Sequence, residues 1–360
     1  AGTDIACTET RAERDGDGWV LTGKKWFASN PDADVIITLA RFPGGQDGST
    51  RGVGMFMVPK TLGSGERNNL TIDRLKDKLG TRSMPSGEVT LNRAHALQVG
   101  ELDRGFRQMA EMVNTSRLSN AMRSSALMRR AVREAVEHSK SRVVFGKRIF
   151  DQPLMRATLL PLALDAEASL ALVAYSAQCL QAADGGDEQA RALIRVLTPI
   201  AKHFVCKRAR VVTGEAMEVF GGNGYVEDGI MGRLFREAPV NSIWEGSGNV
   251  MCLDVMRGIA RQPEHARLLL ADLMDMAAGE ARLTQEALAL AQLLQTPPAE
   301  LEGLGRQFTA RLAVLAQACL LRRSAPAFVA EAFIASRYST HWGQVSGMLQ
   351  PQAMDVDRLL

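Results

Sequence analysis

Four short stretches of the chain hold residue types that could do chemistry. They are Ala1-Gly2-Thr3-Asp4, Gly23-Lys24-Lys25-Trp26-Phe27-Ala28-Ser29-Asn30, Arg142-Val143-Val144-Phe145-Gly146, and the pair Phe220-Gly221-Gly222-Asn223-Gly224-Tyr225 with Ile243-Trp244-Glu245-Gly246-Ser247-Gly248-Asn249. Glu245 is followed by a glycine and by a helix opening near Ser247. Such a start offers unpaired backbone N–H groups and the positive end of a dipole, so a carboxylate there can stay ionised. Taken alone, it reads equally as a solvated loop acid or a helix-terminal charge. Arg142 and Phe145 close a helix; a guanidinium can grip a diphosphate with two bonds and an aromatic ring can pack on adenine. The same corner also reads as a C-capped helix with a core Phe. Gly221 and Gly222 would let a backbone approach a diphosphate closely, although as a bare turn the segment means little.

Common catalytic signatures are absent. There is no GxxxxGKS/T phosphate loop, no HExxH, no GxSxG and no GxGxxG between a strand and a helix, which removes support for ATPase, zinc protease, α/β-hydrolase and Rossmann readings. The five histidines (His95, His138, His203, His265, His341) are scattered and read as surface or core residues rather than metal ligands. The five cysteines show no CxxC spacing, which argues against a zinc site and a secreted disulfide framework and favours a reducing, cytoplasmic setting. With 46% hydrophobic and 23% charged residues, the composition is that of ordinary soluble proteins, and a net charge of +3 drives no whole-chain attraction to polyanions. The most apolar run, Ala157 to Leu180, is interrupted by Asp165 and Glu167 and falls short of the roughly 18 apolar residues of a membrane span.

The elements that must position these residues fall into three zones. Up to about 102, short β-rich runs (Trp19 to Thr22, Asp34 to Leu39, Gly54 to Val58, Gly87 to Leu91) separated by Gly and Pro turns predict an antiparallel barrel or sandwich. From 103 to 260 the apolar period becomes helical, and helices at about 105–140, 153–183, 188–217 and 248–260 predict a four-helix bundle. From 261 to 360 further helical segments form an extension, with nine arginines against ten acids. The fold class expected is α+β, mainly α. The chain runs within a few residues into strand-like sequence, with no initiator Met, basic n-region or apolar h-region, and so looks like a start inside a domain.

The order and spacing of the motifs resemble the acyl-CoA dehydrogenase family of flavoproteins: a β-domain motif, Arg-x-x-Phe-Gly at a helix end, GGxGY some 75 residues on, and an aromatic-Glu-Gly about 20 later. The Asn-Ser-Ile-Trp-Glu-Gly-Ser-Gly-Asn segment and the helical extension look closest to its alkylation-response branch. The resemblance covers residues 1 to about 260. It implies a middle β-domain and a C-terminal bundle, with the family's N-terminal helical domain missing here, and assembly as a dimer of dimers. It also implies FAD as cofactor and an acyl-CoA thioester as substrate, with Glu245 as the base that removes the α-proton and its N–H as one donor to the thioester oxygen. Other branches place the base just before an arginine on an earlier helix, and Ser116 before Arg117 cannot do that work. FAD would be held by Arg142, Phe145, Gly221, Gly222, Ser247 and Asn249, with Trp26, Thr3 and Ser29 forming the β-domain wall beside its ring. Departures from the commoner pattern are Trp244 for a tyrosine before the base, and Glu218 and Pro153 at two frequent glutamine positions. The bulkier indole predicts a reshaped acyl pocket and weak activity on straight-chain substrates.

Residues 117–156 hold ten cations against Glu134, Glu137 and Asp151. This reads as a solvated helix face or a subunit interface. The alternative function is contact with duplex DNA phosphates through residues such as Arg129, Arg130 and Arg133, with weak or vestigial dehydrogenase activity; the alkylation-response branch is associated with DNA.

Overall fold

In the computed structural model, which describes residues 2–338 and 356–359, the N-terminal alternation of apolar and polar residues becomes six strands. These are β1 (Arg11–Asp15), β2 (Gly18–Ala28), β3 (Val35–Arg41), β4 (Val53–Pro59), β5 (Leu70–Leu75) and β6 (Gly87–Val99). Their order is β2-β1-β3-β4-β6-β5, and β2 also pairs with β6, so five strands close into a ring and leave few free edges. Four strands lie where the apolar runs predict them. β1 and β5 were not expected: four of the five β1 residues are exposed, and β5 carries only a short alternation, Leu70 and Ile72. One junction departs from the antiparallel expectation, since β1 meets β3 in parallel at a single pair, Arg11 with Arg41.

Trp19, Leu21, Phe56, Val58, Val89 and Leu91 fill the barrel, with Trp19 edge-on to Phe56 at 5.3 Å between ring centroids. β1 stops pairing with β2 at Thr22, and beyond that point Lys25 Nζ donates to the Leu39 carbonyl of β3 at 2.6 Å. A register shift between Lys25 and Ala28 breaks the alternation, and such bulges re-aim side chains. Trp26 and Phe27 are both exposed as a result, at 62% and 59%.

The chain divides into two units, Ala1–Thr115 and Ser116–Leu360. Helix α1 (Gly105–Ser141) begins in the first and continues in the second. A two-stranded hairpin, β7 (Val143–Val144) and β8 (Lys147–Arg148), leads to α2 (Pro153–Asp184) and α3 (Glu188–Glu218). Then come α4 (Gly222–Tyr225), α5 (Ile230–Asn241), α6 (Gly248–Arg261), α7 (Pro263–Ala277), α8 (Ala281–Leu293), α9 (Pro298–Gly303), α10 (Gly305–Ser324), α11 (Ala327–Arg337) and α12 (Val356–Leu359). Helices make up most of the described residues.

α2 is apolar nearly all round and α10 is buried on every residue from Leu312 to Leu321, as befits helices inside a core. α10 packs on α2 and α3, α7 on α3 and α11 on α2, so α7, α8, α10 and α11 share one continuous apolar core with the bundle. A buried ionic cluster ties them together. Asp165 of α2 accepts from Arg337 of α11 at 2.7 Å and from Arg208 of α3 at 2.5 Å. Among the described residues α2 is the one helix long and apolar enough to cross a membrane, and 67% of its most apolar window is buried inside the helical unit.

Candidate active site

α5 ends at Asn241, and the N–H groups of Ser242, Ile243 and Trp244 close its last turn on the Pro239 and Val240 carbonyls. The chain then takes a tight turn in which Glu245 has φ +57° and Gly246 φ +111°. A left-handed glutamate is uncommon and is kept only where its surroundings over-determine it. Here two cations do so. Lys202 of α3, 1% exposed, donates to the Trp244 carbonyl at 2.7 Å and to the Gly246 carbonyl, and Arg117 of α1 donates to the Glu245 carbonyl at 2.9 Å. Arg117 and Arg195 also converge on Asp254 of α6, at 2.9 and 2.8 Å, which fixes the helix that follows.

The half-buried Glu245 carboxylate makes no hydrogen bond or ion pair among the described residues. The backbone N–H groups from Glu245 to Val250 are likewise unengaged there. The site thus offers a carboxylate beside a helix start and backbone donors without partners among the described residues. Ser247 is the exposed residue before α6, and its hydroxyl makes no cap bond. Asn249 is also exposed, but its Oδ1 accepts from Arg306 of α10 at 2.7 Å, a contact that the sequence did not suggest. Beneath the turn, His203 Nδ1 donates to the Gly248 carbonyl at 3.2 Å; burial, with the nearby Lys207 charge, pulls the imidazole down to about 4. Burial likewise pulls the Lys202 ammonium down to about 8. Trp244 is half-buried, its ring 5.8 Å from the Arg123 guanidinium and its Nε1 without a partner.

A second corner of the helical unit gathers the other bundle motifs. Phe145 (φ +53°) and Gly146 (φ +76°) are the two central residues of the β7–β8 hairpin, a type I′ turn whose twist suits a two-residue loop. Phe145 is 95% exposed, which overturns the core-Phe reading. Arg142 is exposed at the base of the hairpin, and its carbonyl accepts from Ile149 N–H at 2.9 Å. One turn back, His138 stacks on Phe220 at 4.2 Å, so the Arg142 corner lies beside Phe220-Gly221-Gly222. The three glycines that follow Phe220 have different reasons. Gly221 needs φ +58°, a side chain at Gly222 would meet open space, and a Cβ at Gly224 would lie 2.1 Å from the Met217 carbonyl oxygen. No hydrogen bond, ion pair or ring contact among the described residues joins this corner to the Glu245 turn.

In the barrel unit, Thr3, Trp26 and Ser29 are exposed, and Ala1 lies outside the described residues. One face of the Trp26 indole is covered by Lys76, whose Nζ sits 3.3 Å from the ring centroid. Lys76 and Arg74 both bind the buried Glu88 carboxylate, at 2.6 and 2.7 Å, and Lys76 holds that carboxyl down to about 2. The basic stretch is largely neutralised. Arg117, Arg123, Arg129, Arg130, Lys140, Arg148 and Arg156 are ion-paired, leaving Arg133, Arg142 and Lys147 of the ten without an ion pair among the described residues. His341 lies outside the described residues.

Comparison with known proteins matches these two folds to two named domains. The acyl-CoA dehydrogenase middle domain matches residues 1–94, and the acyl-CoA dehydrogenase C-terminal domain matches residues 103–260. The Escherichia coli (strain K12) protein AidB is 38% identical over 95% of this chain and 61% of its own length. Acyl-CoA dehydrogenase family member 11 of Caenorhabditis elegans is 38% identical over 71% of this chain and 43% of its own. The chain therefore spans about half the length of these relatives. The crystal structure of Caenorhabditis elegans ACDH-11 in complex with C11-CoA superposes with a TM-score of 0.86 at 29% identity, covering 100% of this chain and 65% of that one. The chain belongs to the acyl-CoA dehydrogenase family, whose middle β-domain and helical C-terminal domain it carries.

Proposed function

We propose that the protein carries out FAD-dependent α,β-dehydrogenation of an acyl-CoA thioester, with Glu245 as the base. The observation that carries this reading is the Glu245 turn: a left-handed glutamate with an unengaged carboxylate beside a run of unengaged N–H groups. The carboxylate takes the α-proton, while the Glu245 N–H donates to the thioester oxygen as negative charge develops there. Bound FAD would supply the hydride acceptor for the β-hydrogen, and loss of the α-proton to Glu245 and of the β-hydride to that acceptor would leave the thioester α,β-unsaturated.

The residues suit that cofactor. Phe145, on a rigid turn and 95% exposed, offers a ring to adenine, and Arg142 beside it offers a guanidinium to the diphosphate. Gly221 and Gly222 leave room for a close backbone approach. Ser247 supplies an uncommitted hydroxyl, Asn249 an amide anchored by Arg306, and Thr3, Trp26 and Ser29 an exposed wall. The Phe145 corner, with Val143 and Tyr225 exposed at 61% and 82%, supports a second copy of the chain as partner, within a dimer of dimers. A cytoplasmic setting belongs to the same reading, supported by five free cysteines, four of them buried.

Trp244 narrows the acyl pocket, so branched or bulky thioesters are the expected substrates; the relative solved with C11-CoA adds that chain length to the candidates. The test is anaerobic titration of the flavin-loaded protein with short, branched and C11 acyl-CoAs. Bleaching of the visible flavin band ranks the substrates, and a turnover near roughly 10 per second on short straight chains would defeat the pocket argument.

A second reading, DNA contact, rests on Arg129, Arg130 and Arg133. All three are exposed on α1, and Arg133 has no ion pair among the described residues, although the 330 Å³ groove that it lines with Arg130 is lined equally by Glu134 and Glu137. It predicts duplex binding that weakens steeply with salt. Binding that is absent or insensitive to salt removes it.

A further inference from the structure

Lys202 lies in the middle of α3 among Ala201, His203, Phe204, Val205 and Cys206, all buried, and is itself 1% exposed. A buried ammonium is costly and must be satisfied. Its hydrogen-bond acceptors are the backbone carbonyls of Trp244 and Gly246, the residues on either side of Glu245. In a planar trans peptide the C=O and N–H point in opposite directions. Drawing the Trp244 carbonyl to Lys202 therefore turns the Glu245 N–H away from it, and drawing in the Gly246 carbonyl turns the Ser247 N–H away. Arg117 does the same for the peptide between them, through the Glu245 carbonyl. Three consecutive peptides are thus pinned by their oxygens, and the N–H groups they release have no partners among the described residues.

We propose that Lys202 is a positioning residue for the reaction: it holds Glu245 in its left-handed conformation and aims the Glu245 and Ser247 N–H groups at the place where a thioester oxygen is held. Water could satisfy the same carbonyls, but it would neither fix two of them against one rigid helix nor add a positive charge beneath the donors. The inference rests on the reading of Glu245 as base, and its test separates the two.

Lys202→Met and Lys202→Gln are compared with the unaltered protein by three readouts. The first is exchange of the acyl-CoA α-proton in D2O, followed by mass spectrometry, together with kcat and KM. The second is amide hydrogen exchange of the segment 242–250 in the flavin-free protein, and the third is the thermal unfolding midpoint. The expected result is a folded Lys202→Met protein whose α-proton exchange and kcat fall by about 100-fold with KM within threefold, the loss of oriented oxyanion donors. Lys202→Gln, which keeps a neutral donor, falls between the two. Amide exchange rises in 242–250 and not elsewhere. Wild-type α-proton exchange in either folded variant overturns the proposal. So does failure of both variants to fold, which would make Lys202 a structural staple. If the unaltered protein exchanges no acyl-CoA α-proton, the reading of Glu245 as base fails instead, and the amide exchange still reports whether Lys202 orders the turn.

Discussion

Replacing Asp165 with asparagine keeps the side chain's shape and removes its charge from the cluster that joins α2, α3 and α11. The Asp165 and Arg337 side chains are 2% and 1% exposed, and Arg208 is 21% exposed. Without the carboxylate, Arg208 can turn towards water, but Arg337 stays buried against Ser336 Oγ at 2.9 Å, the Pro161 carbonyl at 3.4 Å and the Phe333 ring at 5.0 Å, and loses the carboxylate that offsets its charge. Breaking a buried pair on one side costs about 3–5 kcal/mol, and since one of the two arginines can escape we expect about 3 kcal/mol. Urea unfolding followed by far-UV circular dichroism reads the helical unit, where this loss should appear as a lower midpoint at unchanged slope. The double variant Asp165→Leu with Arg337→Met should recover to within about 1.5 kcal/mol of the unaltered protein, because it leaves no uncompensated charge. Burial pushes the Asp165 carboxyl up, but Arg337 and Arg208 outweigh it and hold it below its ordinary value. Its contribution is therefore complete above that ordinary value and lost as pH falls through the lowered one, so the deficit of Asp165→Asn should persist from pH 7 to about 4 and shrink below. A deficit under about 1 kcal/mol at pH 7 would refute the reasoning.

Three further outcomes follow from single observations. Phe145→Ala should change stability by less than about 0.5 kcal/mol, since the ring is almost fully exposed, yet lower flavin retention on gel filtration; a large fall in melting temperature would contradict it. Gly224→Ala should lower stability by about 1–3 kcal/mol because the new methyl meets the Met217 carbonyl, whereas Gly222→Ala should melt as the unaltered protein does; equal melting of the two would refute the packing argument. His203, held down to about 4 by burial, stays neutral in the fold while the unfolded chain binds a proton below about 6.5, so stability should fall by about 3 kcal/mol as pH drops from 6.5 to 4. His203→Gln should flatten that window, and an unchanged slope would count against it.

The barrel and the long helices were legible because their apolar residues repeat at two or at three to four. β1 was not, since a strand exposed on four of five residues leaves no alternation to read, and the β5 alternation stops after Leu70 and Ile72. β6 outran its apolar run to Val99, passing through Arg93 at φ +51°. Within the site, Glu245 and the glycines were legible as types at a spacing. The partners that shape the Glu245 turn were not, because Lys202 and Arg117 reach it from 43 and 128 residues before, a proximity that only the packing of the helical unit creates. The exposed Phe145 was left open between two readings, since the sequence of a helix corner does not say which way its tip faces. The basic stretch misled in the other direction: its net charge was legible, but the acids that neutralise it, such as Glu167 and Glu237, come from other helices.

The central claim, that Glu245 is the base, is tested most directly by adding acyl-CoA anaerobically to the flavin-loaded protein and to Glu245→Gln, and recording both the visible spectrum and the thioester's affinity. The account predicts that the unaltered protein bleaches its flavin band, while Glu245→Gln binds the thioester within about threefold and does not bleach, because only the proton acceptor has been removed. Bleaching at the unaltered rate in Glu245→Gln would assign the proton to another group and contradict the account.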